Sequence, residues 1–175
     1  SGVDLGPLQP LLPDRLRTRD NMIHCNTPEP LADLERLRRE FNQPHHGLLQ
    51  LIGRRHVRSN NSWMHNYRRL VKGKDRCSLL MHPTDMQHRD IVDGGEVALS
   101  SRAGSVRVQV ESSKDIMPGV VSLPHGYGHN RAGIRMDIAV KHAGVSCNDV
   151  TDELALDELS GNAAVNGVLV SVAPT

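Results

Sequence analysis

The sequence predicts a mainly β domain, a small barrel, that follows a short helical extension. From residue 47 onwards, short runs rich in Val, Leu and Ile alternate with turn residues, as in LLQLIG, CSLLMHP, EVALSS, VRVQVESS, GVVSLP and GVLVSVAP. Aromatic residues make up only 2% of the chain, so the core must be aliphatic, and its β-branched members favour strands. Several short strands at close intervals with few helices indicate a barrel.

Residues 1–46 form the predicted extension, and residues 47–175 form the predicted barrel domain. Residues 1–29 are rich in proline and polar residues and are expected to be loosely ordered. The segment TPEPLADLERLRREF predicts one helix over about residues 30–41, because Thr27 can cap it and Leu31, Leu34, Leu37 and Phe41 recur at helical spacing.

Within the barrel domain, EVALSSRAGSVRVQVE predicts a β-hairpin, because apolar and polar residues alternate on both sides of a glycine-containing turn. Short helices are predicted near HPTDMQHRDI and after Thr151, which can act as a cap.

Charge and cysteine content limit the possible environments. The 21 basic and 20 acidic residues nearly balance, but Arg54 to Arg76 is mainly basic and Asp149 to Glu158 mainly acidic, so one face can attract an anion. Three widely spaced cysteines predict no disulfide framework and favour a reducing, cytoplasmic location. The sequence has no apolar run near membrane length and no leader-like start, so we expect no membrane partner; any export signal would lie outside this chain.

The first candidate site is GRRHVRSNNSWMHN, Gly53 to Asn66, which follows a predicted strand directly. Its arginines offer forked donors suited to phosphate oxygens, and its Ser and Asn residues add short donors and acceptors. The alternative is a solvated basic loop whose Asn and Ser side chains bond their own backbone. NNS also matches a glycosylation sequon, which matters only in a secreted protein.

Two further segments are candidates. In PGVVSLPHGYGHN, Gly119, Gly126 and Gly128 permit close backbone approach to a ligand, while His125 and His129 supply ring nitrogens. Zinc is disfavoured there because two glycines between the histidines oppose a helix, and no cysteine or carboxylate motif is near. The alternatives are a glycine-rich turn here and a surface connection for the third segment, VSCNDVTDELALDELSGNAAVNG.

Taken together and in this order, these segments resemble the C-terminal dinucleotide-binding domain of molybdopterin oxidoreductases, the dimethyl sulfoxide reductase and formate dehydrogenase superfamily. The resemblance covers about residues 47–175 and rests on several motifs rather than one. It implies a double-psi β-barrel, of the aspartate decarboxylase-like type, that holds part of a molybdopterin guanine dinucleotide. The function implied is cofactor binding within a molybdenum- or tungsten-dependent oxidoreductase, with a formate dehydrogenase-like enzyme as one form.

The resemblance also implies which residues bind the cofactor, and it assigns none of them to catalysis or to metal ligation. These residues come from the first loop, from HPTD, from LPHGYGH and from CND. They are Arg54, Arg55, Ser59, Asn60, Ser62, Trp63, Met64, His65, His82, Asp85, His125, Gly126, His129 and Asn148.

The chain departs from the family pattern at three turn positions, where Met86, Asp90 and Gly95 replace an alanine, a glycine and an aspartate. These departures affect local geometry more than the fold. The domains that carry the metal-ligating side chain and any iron–sulfur cysteines have no counterpart here, so we expect them upstream in the same polypeptide. The isolated chain is therefore expected to be inactive, without bound cofactor and without stoichiometric molybdenum, tungsten or iron.

Two other functions remain open from the residues alone. One is a small β-barrel that binds nucleic acid or another polyanion through residues 54–76. One Trp, two Tyr and one Phe are too few for the stacking surfaces of single-strand binders, and the neutral charge balance also argues against it. We therefore expect no nucleic-acid partner. The other is a standalone interaction domain that has kept the barrel and lost the cofactor.

Overall fold

A computed structural model describes residues 2–175 of the chain. They divide into two compact units, one ending at Gln43 and one from Pro44 to Thr175. The first unit contains helix α1, Pro28–Phe41. The helix predicted over about residues 30–41 is thus present and begins two residues earlier, with Thr27 at its N-cap position.

The second unit is a closed barrel of six strands in the order β1-β5-β2-β4-β3-β6. Every aliphatic run singled out in the sequence forms one of these strands. The strands are β1 Leu49–Arg54, β2 Ser78–Met81, β3 Glu96–Ser100, β4 Ser105–Ser112, β5 Val120–Pro124 and β6 Val168–Pro174. Two pairs, β1 with β5 and β2 with β4, run parallel, and the other pairs run antiparallel. The predicted double-psi β-barrel is confirmed.

The predicted hairpin is the β3–β4 pair, whose register runs from Glu96 opposite Gln109 to Ser100 opposite Ser105. Its alternation decides which side chains enter the barrel, because successive residues of a strand point to opposite faces. In β4, Val106, Val108 and Val110 are buried while the residues between them are exposed. The core is aliphatic throughout, as the low aromatic content requires.

Helix α3, Pro83–Gln87, lies in the predicted position near HPTDMQHRDI, whereas the helix predicted after Thr151 is wrong. Residues 151–160 form turns instead. The Asp152 carboxylate accepts the Leu154 N–H, and Asp157 accepts the Ser160 N–H. Such local side-chain bonds compete with helical ones. A short helix α2, Arg68–Val71, was not predicted.

The strand register defines two ends of the barrel. Because β1 and β5 are parallel with Arg54 opposite Pro124, both strands finish at the same end. Strand β2 runs the other way, with Met81 opposite Val121, so its last residues lie at the opposite end. Among the described residues, every helix is too short or too polar to cross a bilayer.

Candidate functional site

The candidate site lies at the barrel end where β1 and β5 finish. The loop after β1 and the loop after β5 leave adjacent strands side by side, and the His125 N–H still donates to the Arg54 carbonyl at 3.0 Å. A third segment, a 3₁₀ turn at Cys147–Asp149, reaches the same end because His125 Nδ1 lies 3.6 Å from Cys147 Sγ. Three segments that are distant in sequence therefore meet at one end of the barrel.

Glycines allow these segments to touch one another. Gly126 has φ +93°, and a Cβ there would lie 2.2 Å from the Asn61 carbonyl oxygen; a Cβ on Gly128 would lie 2.8 Å from Ser146 Cβ. The absent side chains let the post-β5 loop contact residues 61–62 and Ser146. The contact of Gly126 with a ligand, which the sequence predicts, stays a prediction.

Two buried histidines join the first two loops. His65 Nδ1 and His129 Nε2 share a hydrogen bond of 2.7 Å, and the Tyr127 ring lies against His65 with centroids 4.4 Å apart. Burial lowers the pKa of both imidazoles, and His129 lowers that of His65 further. Both predicted binding residues therefore contact each other inside the protein, and as neutral rings they hold the loops together.

Arg54 and Arg55 have different environments despite being neighbours. The half-buried Arg54 guanidinium donates to the Ser122 carbonyl at 2.6 Å and the Ser78 carbonyl at 2.7 Å, and burial lowers its pKa. Arg55 is exposed and contacts the Asn61 side-chain oxygen. The donors of Arg54 therefore serve the barrel, whereas Arg55 is exposed and has further N–H donors, beyond its contact with Asn61, that can meet a ligand.

Beside Arg55 the three segments, together with residues 165–166 just before β6, line a cavity of about 230 Å³. Its apolar side is formed by Leu51, Ile52 and Val165. Its polar residues are Arg55, His125, Cys147, Asn148, Thr151 and Asn166. Three residues predicted from the sequence, Arg55, His125 and Asn148, thus line one cavity.

Two titratable groups in this cavity stay uncharged near neutral pH. Burial raises the pKa of the Cys147 thiol, and burial together with nearby Arg55 lowers the pKa of His125. Cys147 Sγ also lies 3.7 Å from Asn148 Oδ1, so the thiol is placed as a weak donor between two side chains. Among the described residues that line the cavity, Arg55 alone carries a formal charge, and its positive charge suits an anionic or acceptor-rich ligand.

The rest of the first loop forms a polar surface beside the cavity. Ser59 is buried, and its hydroxyl donates to the His56 carbonyl at 2.9 Å, so it shapes the loop. Asn60 is exposed at φ 41°, and Trp63 is 79% exposed. Ser62 and Met64, which flank Trp63 in the sequence, are half-buried. The exposed indole offers a flat apolar surface outside the cavity.

The structure does not bring His82 and Asp85 to this site. Both follow β2, so they lie at the opposite end of the barrel. His82 Nδ1 accepts the Thr84 N–H and begins α3, while the buried Asp85 accepts the Gly119 N–H at 2.7 Å. These partners make His82 and Asp85 part of the framework, and neither residue is among the described residues that line the cavity.

Sequence reasoning missed seven residues of the cavity. Three are the apolar residues Leu51, Ile52 and Val165, and the other four are Gly53, Cys147, Thr151 and Asn166. Cys147 and Thr151 flank Asn148 and were visible within a quoted motif. Asn166 carried a weaker signal, an Asn-Gly pair just before the last strand. Among residues 2–175, no group of three or more His, Cys, Asp or Glu side chains is arranged to hold a metal ion.

Comparison with known proteins gives three findings. The profile of the family described as "Molydopterin dinucleotide binding domain" matches residues 49–169. A tetrathionate reductase subunit of Salmonella typhimurium strain LT2 is 31% identical over 65 residues, which are 37% of this chain and 6% of that protein. The structure of acetylene hydratase from Pelobacter acetylenicus is similar with a TM-score of 0.61 at 18% identity, covering 89% of this chain and 22% of that one. The alignments therefore span less than a quarter of either relative.

Proposed function

This chain belongs to the family of molybdopterin dinucleotide-binding domains, and we propose that it binds molybdopterin guanine dinucleotide as the C-terminal domain of a molybdenum- or tungsten-dependent oxidoreductase. The observation that carries this proposal is the convergence of three distant segments on one cavity with Arg55, His125 and Asn148 on its walls. A ligand with two phosphates and two ring systems needs several loops, because one loop cannot satisfy all of its polar groups.

The cavity fits one part of such a ligand. Its volume of about 230 Å³ is below the roughly 300–1,000 Å³ of pockets that enclose a drug-sized ligand. A whole dinucleotide would therefore extend beyond the cavity, over the exposed polar surface of the first loop. This supports a second wall contributed by upstream catalytic domains of the same polypeptide, which we propose as the partner of this chain.

The reaction is not determined by this domain. When bound, the cofactor supplies the redox chemistry, and the protein supplies binding, orientation and electrostatics. The names of the two relatives differ in reaction, one a reductase and the other a hydratase. The formate dehydrogenase-like assignment, the choice between molybdenum and tungsten, and a cytoplasmic location therefore remain predictions.

The structure offers less support to a polyanion-binding barrel. In the basic stretch 54–76, the Arg54 guanidinium donates to backbone carbonyls, and Lys74 pairs with Glu111 at 2.7 Å. Fewer positive charges are thus free than the sequence indicates. Binding of random oligonucleotides that weakens steeply with added salt would favour this rival.

The test is cofactor retention in the polypeptide that carries this chain. We expect Arg55→Ala and Asn148→Ala each to reduce the pterin content of the purified enzyme. A lost hydrogen bond is worth roughly 1.5–3 kcal/mol where a charged group takes part, or about tenfold or more in affinity, and roughly 0.5–1.5 kcal/mol between neutral groups. Arg107→Ala is the control, since Arg107 is exposed on β4. Equal pterin content in all three variants and the unmodified enzyme would contradict the proposal.

A further inference from the structure

Asn166 occupies an unusual position where strand β6 begins. The β1–β6 ladder ends with Leu51 opposite Val168, after which the Gly167 N–H donates to the Leu51 carbonyl. The next outward donor on β1, the Gly53 N–H, donates to the side-chain Oδ1 of Asn166 at 2.8 Å. The Asn166 side chain therefore extends the ladder in place of a backbone carbonyl.

This contact determines how the Asn166 amide is oriented. An N–H can bond only to an acceptor, so the carbonyl oxygen of the amide must face Gly53. The amide nitrogen, with two N–H donors, then faces away from Gly53 and has no hydrogen-bond partner among the described residues. Since Asn166 lines the cavity, these donors are available to a group bound there.

The neighbouring polar groups also present donors. Arg55 contributes a guanidinium, which has donors only. Asn148 Oδ1 lies beside the Cys147 thiol, which leaves the Asn148 amide nitrogen as the group available to a ligand. The Thr151 hydroxyl donates to the Asn148 carbonyl, so its own hydrogen is used. The Thr151 oxygen and one nitrogen of the neutral His125 ring are acceptors, but the N–H groups of Arg55, Asn148 and Asn166 outnumber them, so the cavity is richer in donors.

We propose that Asn166 is a specificity-determining residue that selects, in this cavity, the keto edge of a bicyclic heterocycle over the corresponding amino edge. This inference rests on the proposed function, because it concerns a ring system of the same ligand. A keto oxygen next to a ring nitrogen presents two acceptors, as guanine does with O6 and N7, whereas adenine presents an amino donor beside N7. The two acceptors of a keto edge can accept hydrogen bonds from Asn166 and its neighbours. An amino group in the same place would put its own N–H donors against theirs, and no hydrogen bond could form.

Pterin and guanine share this keto edge, and the apolar side of the cavity suits either flat ring. Leu51, Ile52 and Val165 form that side. Either ring could therefore occupy the cavity, and two pairs of probes, each with a keto and an amino member, distinguish them. Guanosine is compared with adenosine, and pterin with diaminopteridine, in which an amino group replaces the keto group. None of these probes carries a phosphate, so the contacts of the ring are measured alone.

Each probe is titrated into the 175-residue chain, with the Gly53 amide signal in NMR spectra as a local reporter. The decisive variant is Asn166→Asp, because a carboxylate oxygen still accepts the Gly53 N–H while the two donors are replaced by acceptors. Asn162→Asp is the control, since it adds the same charge to an exposed residue nearby that does not line the cavity.

We expect the unmodified chain and Asn162→Asp to prefer the keto member of at least one pair by about tenfold, the factor that one mismatched hydrogen bond of about 1.4 kcal/mol produces. Asn166→Asp should abolish or reverse this preference, and the pair that shows it identifies the ring. Equal affinity for keto and amino probes, an unchanged preference in Asn166→Asp, or no binding of any probe would overturn the inference. Failure here with normal pterin content in the larger enzyme leaves the proposed function standing, whereas an enzyme without pterin contradicts the proposed function itself.

Discussion

Replacing Gly126 by alanine should destabilise the barrel unit and loosen the candidate site. Gly126 has φ +93°, where L residues are strained, and its added Cβ would lie 2.2 Å from the Asn61 carbonyl oxygen and 2.6 Å from the carbonyl carbon. Both atoms belong to the backbone, so no flexible side chain can move aside. The substitution must shift the post-β5 loop, residues 61–62, or both.

Two costs combine in this variant. The left-handed backbone conformation costs an alanine about 1–2 kcal/mol, and forcing an extra carbon into a closed contact costs about 1–3 kcal/mol. Together they reduce the free energy of unfolding by about 2–5 kcal/mol, a large share of the roughly 5–15 kcal/mol typical of a domain. Gly133→Ala separates the two costs, because Gly133 has φ +89° with nothing within 4 Å of its Cβ position.

Urea denaturation of the purified variants, followed by far-ultraviolet circular dichroism, measures both free energies of unfolding. The effect of alanine on the unfolded chain is common to both variants and cancels in their difference. We expect Gly126→Ala to lose about 1–3 kcal/mol more than Gly133→Ala. Equal losses would refute the reasoning, because they would mean that the contact with residues 61–62 is not maintained in solution.

Three further predictions follow from the site and its framework. Arg54→Ala should lower the free energy of unfolding by about 1.5–3 kcal/mol, because it leaves the Ser78 and Ser122 carbonyls without their charged donor. Arg55→Ala, at an exposed residue, should cost under about 0.5 kcal/mol. Equal urea midpoints for the two variants would contradict a structural role for Arg54. Burial lowers the pKa of His65 and His129 below 6.5, so in acid the unfolded chain binds more protons than the folded chain. The stability that these two histidines contribute is therefore complete above pH 6.5, and the free energy of unfolding should fall as the pH drops below it. The decrease between about pH 7 and pH 5 should be smaller in His129→Gln, and an identical pH dependence in both proteins would argue against the buried pair. Asp85→Ala should lower the free energy of unfolding by about 1–3 kcal/mol, because the Gly119 N–H loses its acceptor. Asp115→Ala, at an exposed residue, should change it by less than about 0.5 kcal/mol. Similar unfolding curves for both variants would show that the buried hydrogen bond does not stabilise the barrel.

Much of the fold was predictable because its signals are local. The alternation in VRVQVES decides the inward face of β4 wherever the strand lies, and the short turn between Ser100 and Ser105 determines the hairpin register. The helix predicted after Thr151 is absent for two reasons, the local bonds of Asp152 and Asp157 and one long-range contact. Asp152, which could begin a helix, is held by two hydrogen bonds from Arg102, a residue about fifty positions earlier in the β3–β4 turn.

The candidate site was predicted by region more accurately than by residue. The motifs placed Arg55, His125 and Asn148 together, and they line one cavity. They also grouped Arg54 with Arg55, although Arg54 is the last residue of β1 and donates to the carbonyls of β2 and β5, whereas Arg55 lies in the loop that follows and is exposed. His82 and Asp85 belong to the same family pattern but lie at the other end of the barrel, since β2 runs antiparallel to β5.

By itself the sequence determined the strands, the aliphatic core and the family, since alternation, turn residues and ordered motifs are properties of short segments. Only the tertiary structure decided which arginine is exposed and which glycines let backbones approach closely. It also decided that the Asn166 amide oxygen accepts the Gly53 N–H, which leaves the amide nitrogen without a partner among the described residues. The physical reason is that each of these depends on contacts between strands and loops far apart in the chain, which exist only once the barrel has closed and its register is set.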